Sequence, residues 1–334
     1  MIRNWKTVLF IICFIIIMVA KVYPLSDWLM MEKEKQENDL SNYVVMSNSI
    51  MGKTAHEIPR NYQYPPIYPL LIIPGILSGN LFMYVLSMDT LFTVLIFVAL
   101  VFFTRRFIDE PIATILATAV TLFDFFLLPV KSFGYPFMFG TLLFIVFLHY
   151  FIERRTWVMA SIMYMLLVGT MYVSLFLSPF ILLWIFMNRK NIRDTIKTSF
   201  LFFIPAFLIF ALWSLRNIIV HGMTIEGAVG GYITLNFFDN FTSRLMSTIQ
   251  FVEPRDILIY SLVFIIGLVI IIKMKQKHQL LYGALLFNLL FFIFIPGMSW
   301  SLTYLAWRYI CFLLPCYLIL GIYPLVYLIK DSSD

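Results

Sequence analysis

Residues 82–103 read FMYVLSMDTLFTVLIFVALVFF, twenty-two residues with one charged side chain, Asp89. As an α-helix this run rises about 33 Å, enough to cross the roughly 30 Å hydrocarbon layer of a bilayer. Working outward from it, comparable apolar runs recur near 7–23, 111–130, 136–152, 157–173, 176–188, 198–215, 256–273, 279–296 and 309–329. Backbone in hydrocarbon has no water to pair with, so each run must be helical. The expected fold class is therefore all-α, a polytopic membrane bundle of about ten transmembrane helices forming one integral-membrane domain over 1–334, with no soluble C-terminal domain. A composition 61% hydrophobic and 13% charged, with mean hydropathy +0.90, excludes an ordinary soluble domain. The runs 157–173 and 176–188 are the least distinct pair. Only Ser174-Leu175 separates them, with Ser178-Pro179 just beyond, so one long broken helix is the alternative.

The net charge of +6 is spread through short loops, which argues for membrane orientation and against a nucleic-acid partner. With a cytoplasmic N-terminus, the cytoplasmic side receives Arg3, Lys6, Arg105, Arg106, Arg154, Arg155, Arg189, Lys190, Arg193, Lys197, Lys273, Lys275, Lys277 and Lys330. Two long loops, 24–81 and 216–255, fall outside, and an even helix count returns the C-terminus to the cytoplasm. Met1–Lys6 followed by Val8–Ala20 has the form of a signal peptide, but no small-residue cleavage site follows, so the reading is a retained signal-anchor. Cys13, Cys311 and Cys316 lie in apolar runs without metal-ligand spacing and read as small packing residues.

The first outer loop carries most of the chemistry. Asn38 or Asp39 caps an expected short surface helix over Ser41–Met51, and Gly52 stops it. Tyr62–Pro69 is expected to be non-helical through its prolines, and Leu70–Leu77 to dip into the interface as a short helix. Asp39 and Tyr43 form Asp-x-x-x-Tyr, one turn apart, so the acid reads either as an N-cap or as a general base at the membrane surface. At the outer ends of other segments stand Arg60, Lys131, Arg216 and Arg308, each able to meet a phosphate or simply to snorkel to headgroups.

The order of these features resembles the C-type glycosyltransferases of the protein O-mannosyltransferase and aminoarabinose-transferase kind, glycosyltransferase family 39-like. Asp-x-x-x-Tyr at Asp39 is followed by Tyr64-Pro65-Pro66-Ile67-Tyr68-Pro69, similar to the family's YPPLYP-like element. Trp213-Ser214-Leu215-Arg216-Asn217 with Gly230-Gly231 is similar to its Trp-x-x-Arg-Asn element, and Arg308-Tyr309 with Pro315 to its Arg-Tyr…Pro helix opening. The resemblance implies a hexosyltransferase that inverts the anomeric centre of a polyprenyl-phosphate sugar at the extracytoplasmic face. It implies Asp39 as the base, Tyr43, Arg60, Tyr64, Lys131, Arg216, Asn217 and Arg308 around the substrate, and a glycan, lipid or protein as acceptor. Relatives often have Asp-Glu where this chain has Asp39-Leu40, and a second-loop acid where Lys131–Pro136 has none; Asp124 is the candidate second acid. Asp89 is a similar intramembrane acid. No residue pattern points to a metal, although a divalent ion is compatible with the chemistry, and no nucleotide-binding motif is present. Asn240-Phe241-Thr242 is a glycosylation sequon on the expected outer face. Two other classes fit the composition: a transporter or flippase of lipid-linked saccharides, and a non-catalytic assembly subunit. Oligomeric state is not encoded in any of these features.

Overall fold

The computed structural model describes residues 5–22, 39–53, 65–127, 136–152, 157–189, 191–221, 254–274, 279–294 and 312–331. Apart from short turns these residues are helical, with no strand among them. In chain order the α-helices are α1 Trp5–Val22, α2 Asp39–Ile50, α3 Ile67–Leu77, α4 Leu81–Thr104, α5 Glu110–Leu127 and α6 Phe137–Ile152. They continue with α7 Trp157–Thr170, α8 Ser178–Asn188, α9 Ile192–His221, α10 Pro254–Lys273, α11 Gln279–Phe294 and α12 Leu314–Asp331. Each apolar run identified above coincides with a helix. By length and composition α4 and the Ile192–Val220 part of α9 can cross a membrane. α9 is mostly uncovered, and Phe200, Phe207, Leu212 and Ile219 are each more than half exposed, an apolar surface far too extensive for water.

Side-chain contacts fix how the helices alternate. Lys6 at the start of α1 and Arg105 at the end of α4 both lie 3.6 Å from Glu110 at the start of α5. Arg106 Nη2 lies 2.8 Å from His149 Nε2 in the last turn of α6. Beside it the Phe151 ring stacks on Trp157, which opens α7, and the guanidinium of Arg189, just after α8, lies 4.8 Å over that same Trp157 ring. Phe107 meets Tyr323 midway along α12. One end of the bundle, the Arg105 end, therefore gathers Lys6, Arg105, Arg106 and Arg189.

The Trp157–Arg189 contact also decides the ambiguous pair. α7 and α8 are an antiparallel hairpin rather than one broken helix, and a 3-10 turn, Tyr172–Leu177, forms its tip. Turning the chain there leaves carbonyls without helical partners. Asn288 of α11, fully buried, donates from Nδ2 to the Phe176 carbonyl at 3.2 Å, and the Tyr317 hydroxyl reaches Asn288 Oδ1 at 3.2 Å and the Leu285 carbonyl at 2.8 Å. Irregular backbone inside an apolar bundle persists because such groups satisfy it.

α10 and α12 cross backbone to backbone at two glycines. A Cβ at Gly267 would lie 2.7 Å from the Gly321 carbonyl oxygen, and one at Gly321 would lie 2.6 Å from that of Val263. Small residues permit this approach, and van der Waals contact runs along the crossing. Phe264, Tyr282 and Tyr317 fill the adjoining space, and the Tyr282 hydroxyl donates to the Leu320 carbonyl. Cys13 and Cys316 are buried free thiols; Cys311 lies outside the described residues.

Two expectations for the first loop need correction. α3 begins at Ile67, so Tyr68 and Pro69 are helical; proline in a first turn removes an N–H that has no helical acceptor in any case. α2 does not simply lie on a surface. Tyr43, Met46 and Ser47 are buried, and α2 packs along α3. Its stop is as read: Gly52 has φ 71°, Lys53 N donates to the Asn48 carbonyl at 2.9 Å, and Gly52 N to that of Ser49 at 3.1 Å.

Candidate functional site

α2 and α3 sit at the end opposite Arg105, above the hairpin tip. Ile67 packs on Gly169, where an added Cβ would meet the Ile67 side chain at 2.7 Å and that of Ile209 at 2.6 Å. The Tyr172 ring meets Phe210 of α9, which lies about 9 Å of helical rise below Arg216. The hairpin thus turns short of the level α9 reaches, and the first loop occupies the space above it.

Two ties anchor α2 to α3. The Tyr43 ring, 4% exposed, meets Tyr68 edge-on at 4.9 Å. One turn later Ser47 Oγ lies 2.8 Å from the Pro69 carbonyl and 2.7 Å from that of Tyr43. Ser47 thereby ties α2 to α3 while also bonded to its own helix.

Behind Tyr68 lies Asp89. The Tyr84 hydroxyl donates to the Leu71 carbonyl at 3.1 Å, and Gly75 abuts the Tyr84 ring, so α3 and α4 run antiparallel. Carrying that register about a turn and a half along α4 brings Asp89, 2% exposed, level with fully buried Tyr68. Tyr68 OH has no hydrogen-bond partner among the described residues. Burial, and then the Asp89 carboxylate, push its phenol well above the ordinary value, so it stays protonated. α3 has eleven residues, too few to cross a bilayer by itself.

At the opposite end of α2 from Asp39, α9 contributes Arg216. Its Nη2 donates to Ser49 Oγ at 3.3 Å, its Nη1 to Asn217 Oδ1 at 3.2 Å, and its Cζ lies 4.5 Å from the Trp213 ring centroid. An arginine three residues after a tryptophan falls on the same helix face, so the stacking follows from the Trp-x-x-Arg spacing. The guanidinium is half-buried at the last turn of α2, where carbonyl dipoles favour a cation.

Of the residues selected from sequence, Tyr43, Arg216 and Asn217 have described side chains. Arg216 and Asn217 share one bonded group, while the Tyr43 ring is taken up in packing. Asp39 opens α2, and Asp124 is in α5; the side chains of both lie outside the described set, as do residues Arg60, Tyr64, Lys131 and Arg308 altogether. Asp39 and Ser49 stand about 15 Å apart along α2, so Asp39 and the Arg216 contact lie at opposite ends of that helix. Ser49 is the residue that sequence reasoning passed over, since no local signal links it to α9. Among the described residues no group of three His, Cys, Asp or Glu side chains is positioned for a metal ion. No protein-family model, curated protein or solved structure matches this chain.

Proposed function

We propose that the chain is a multi-pass membrane glycosyltransferase. It moves a sugar from a polyprenyl-phosphate donor to a glycan, lipid or protein acceptor at the extracytoplasmic face, with inversion. The Arg216–Ser49 contact carries this reading, because it joins the Asp-x-x-x-Tyr segment to the Trp-x-x-Arg-Asn segment across 167 positions of sequence. The Arg105 end is the cytoplasmic one in this reading, by the excess of arginine and lysine there, and ten spans put both termini on that side. The first loop and Arg216 then face outward.

Asp39 takes the proton from the acceptor hydroxyl or amine as that atom attacks the anomeric carbon. The bond from carbon to phosphate oxygen breaks on the opposite face, and the phosphate leaves with the electron pair. Arg216, with Arg308, Lys131 and Arg60 as further cations, offsets the charge that develops on it. Tyr43, Tyr64 and Asn217 shape the surrounding wall, and Asp124 is the second acid.

The test is transfer by purified protein given a panel of polyprenyl-phosphate sugars. Asp39→Asn should lower turnover by about 10²- to 10⁴-fold while leaving donor binding intact. Retained turnover would remove Asp39 as the base. Donor binding without transfer by the wild type would favour a carrier or an assembly subunit.

A further inference from the structure

At the Arg105 end the basic side chains divide into two groups. Lys6 and Arg105 share Glu110, each at 3.6 Å, and Arg106 donates to His149, so these heads are engaged within the chain. Arg189, Arg193 and Lys197 form no ion pair with an acid among the described residues. They sit together, because only residues 189–191 separate the end of α8 from the start of α9. Ser161 Oγ of α7 donates to the Phe202 carbonyl of α9 at 2.7 Å, and Gly169 abuts Ile209, so α7 and α9 run in the same direction. Carrying that register back puts Trp157 level with Thr198, and the first six residues of α9 extend about 9 Å beyond the start of α7. Ile192, Arg193, Asp194, Ile196 and Lys197 are all exposed there.

The faces of this overhang are sorted by chemistry. At about 100° per residue Ile192, Ile196 and Phe200, which are 64%, 64% and 67% exposed, form one apolar stripe, and Arg193 and Lys197 flank it one turn apart. Asp194, the one acid of residues 188–199, falls on the far side, about 200° round from Ile192. Arg189 returns to the level of Trp157, its Cζ 4.8 Å over that ring, and tryptophans at bundle ends sit at headgroup depth. We propose that this corner binds an anionic phospholipid of the adjoining leaflet, with its phosphodiester between Arg189, Arg193 and Lys197 and an acyl chain along Ile196 and Phe200. A cation with no acid beside it keeps its attraction for an anionic headgroup, whereas one that shares Glu110 has it offset. The two guanidinium forks suit phosphate oxygens, the ammonium adds a point charge, and the N-terminal end of the α9 dipole favours the same sign of ligand. A soluble phosphate would leave the apolar stripe bare, which selects the lipid over the free anion. The corner lies at the opposite end of the bundle from α2, so the inference stands apart from glycosyl transfer.

The experiment titrates phosphatidylglycerol or phosphatidylcholine into the purified full chain in a neutral detergent and reads the first lipid bound by native mass spectrometry. Wild type should take phosphatidylglycerol about tenfold or more tighter than phosphatidylcholine. Arg193→Gln with Lys197→Gln should weaken phosphatidylglycerol about tenfold or more, since each cation near an anionic headgroup is worth roughly fivefold. Lys6→Gln with Arg105→Gln removes the same charge from the same end, yet should leave the affinity within about twofold. The swap Arg193→Lys with Lys197→Arg keeps both charges and should stay within about threefold of wild type. Equal losses in the two glutamine doubles would mean that net charge alone attracts the lipid, and they overturn the site. So does equal affinity of wild type for the two lipids. Glycerol 3-phosphate, the headgroup without chains, should fail to displace phosphatidylglycerol at equal concentration; displacement would reassign the corner to a soluble phosphate and overturn the lipid.

Discussion

Tyr68 is buried by its neighbours, yet its hydroxyl lacks a described acceptor and lies near a buried carboxylate. Deleting a hydroxyl so placed removes a desolvated group and little else. Tyr68→Phe is expected to leave thermal stability in detergent unchanged or raised by about 1 kcal/mol. Tyr68→Ala, which empties the space between Tyr43 and α4, should cost about 3–5 kcal/mol. A clear loss with Tyr68→Phe would mean that the hydroxyl does bond in the folded protein. The local parts of this region are readable in sequence: Trp213–Arg216 stacking follows from helical spacing, and Gly52 from the need for positive φ at the end of α2. Asp89 opposite Tyr68 and Ser49 opposite Arg216 are not, because each pair is set by how separate helices dock.

At the scale of helices, the α10–α12 crossing is the most demanding contact. Gly321→Ala would place a methyl against the Val263 carbonyl, which is backbone and cannot rotate away. The expected loss is about 1–3 kcal/mol, read as a lower midpoint of thermal unfolding. Asn288→Leu should cost a similar amount, about 1–3 kcal/mol, because the Phe176 carbonyl at the hairpin tip is left unsatisfied. If Asn288→Leu is neutral, another group caps the tip. Each apolar run fell near an observed helix, while α2 and α3 lie outside those runs. They did not predict that α3 starts at Ile67, because the ban on proline holds for helix interiors and lapses in the first turn. Nor could run length alone distinguish a hairpin from a broken helix; that required seeing Arg189 return to Trp157.

For the whole molecule, the alternation of helices makes a sidedness prediction. In a background lacking the native cysteines, single cysteines at Arg105, Arg189 and Lys273 should react with a membrane-impermeant maleimide from one side only. Those at Asn48 and Ser78 should react from the other. Mixed labelling within either set would break the two-ended arrangement. The short hairpin has a physical cost of its own. α7 rises about 21 Å and α8 about 17 Å, less than the hydrocarbon thickness that α9 can fill. Leu182 and Phe186 on α8 are exposed, an apolar face shorter than the hydrocarbon layer. In a bilayer, a face of that length would draw the headgroup planes on either side closer together. Thermal stability in shorter-chain bilayers is therefore expected to exceed that in longer-chain ones of the same headgroup.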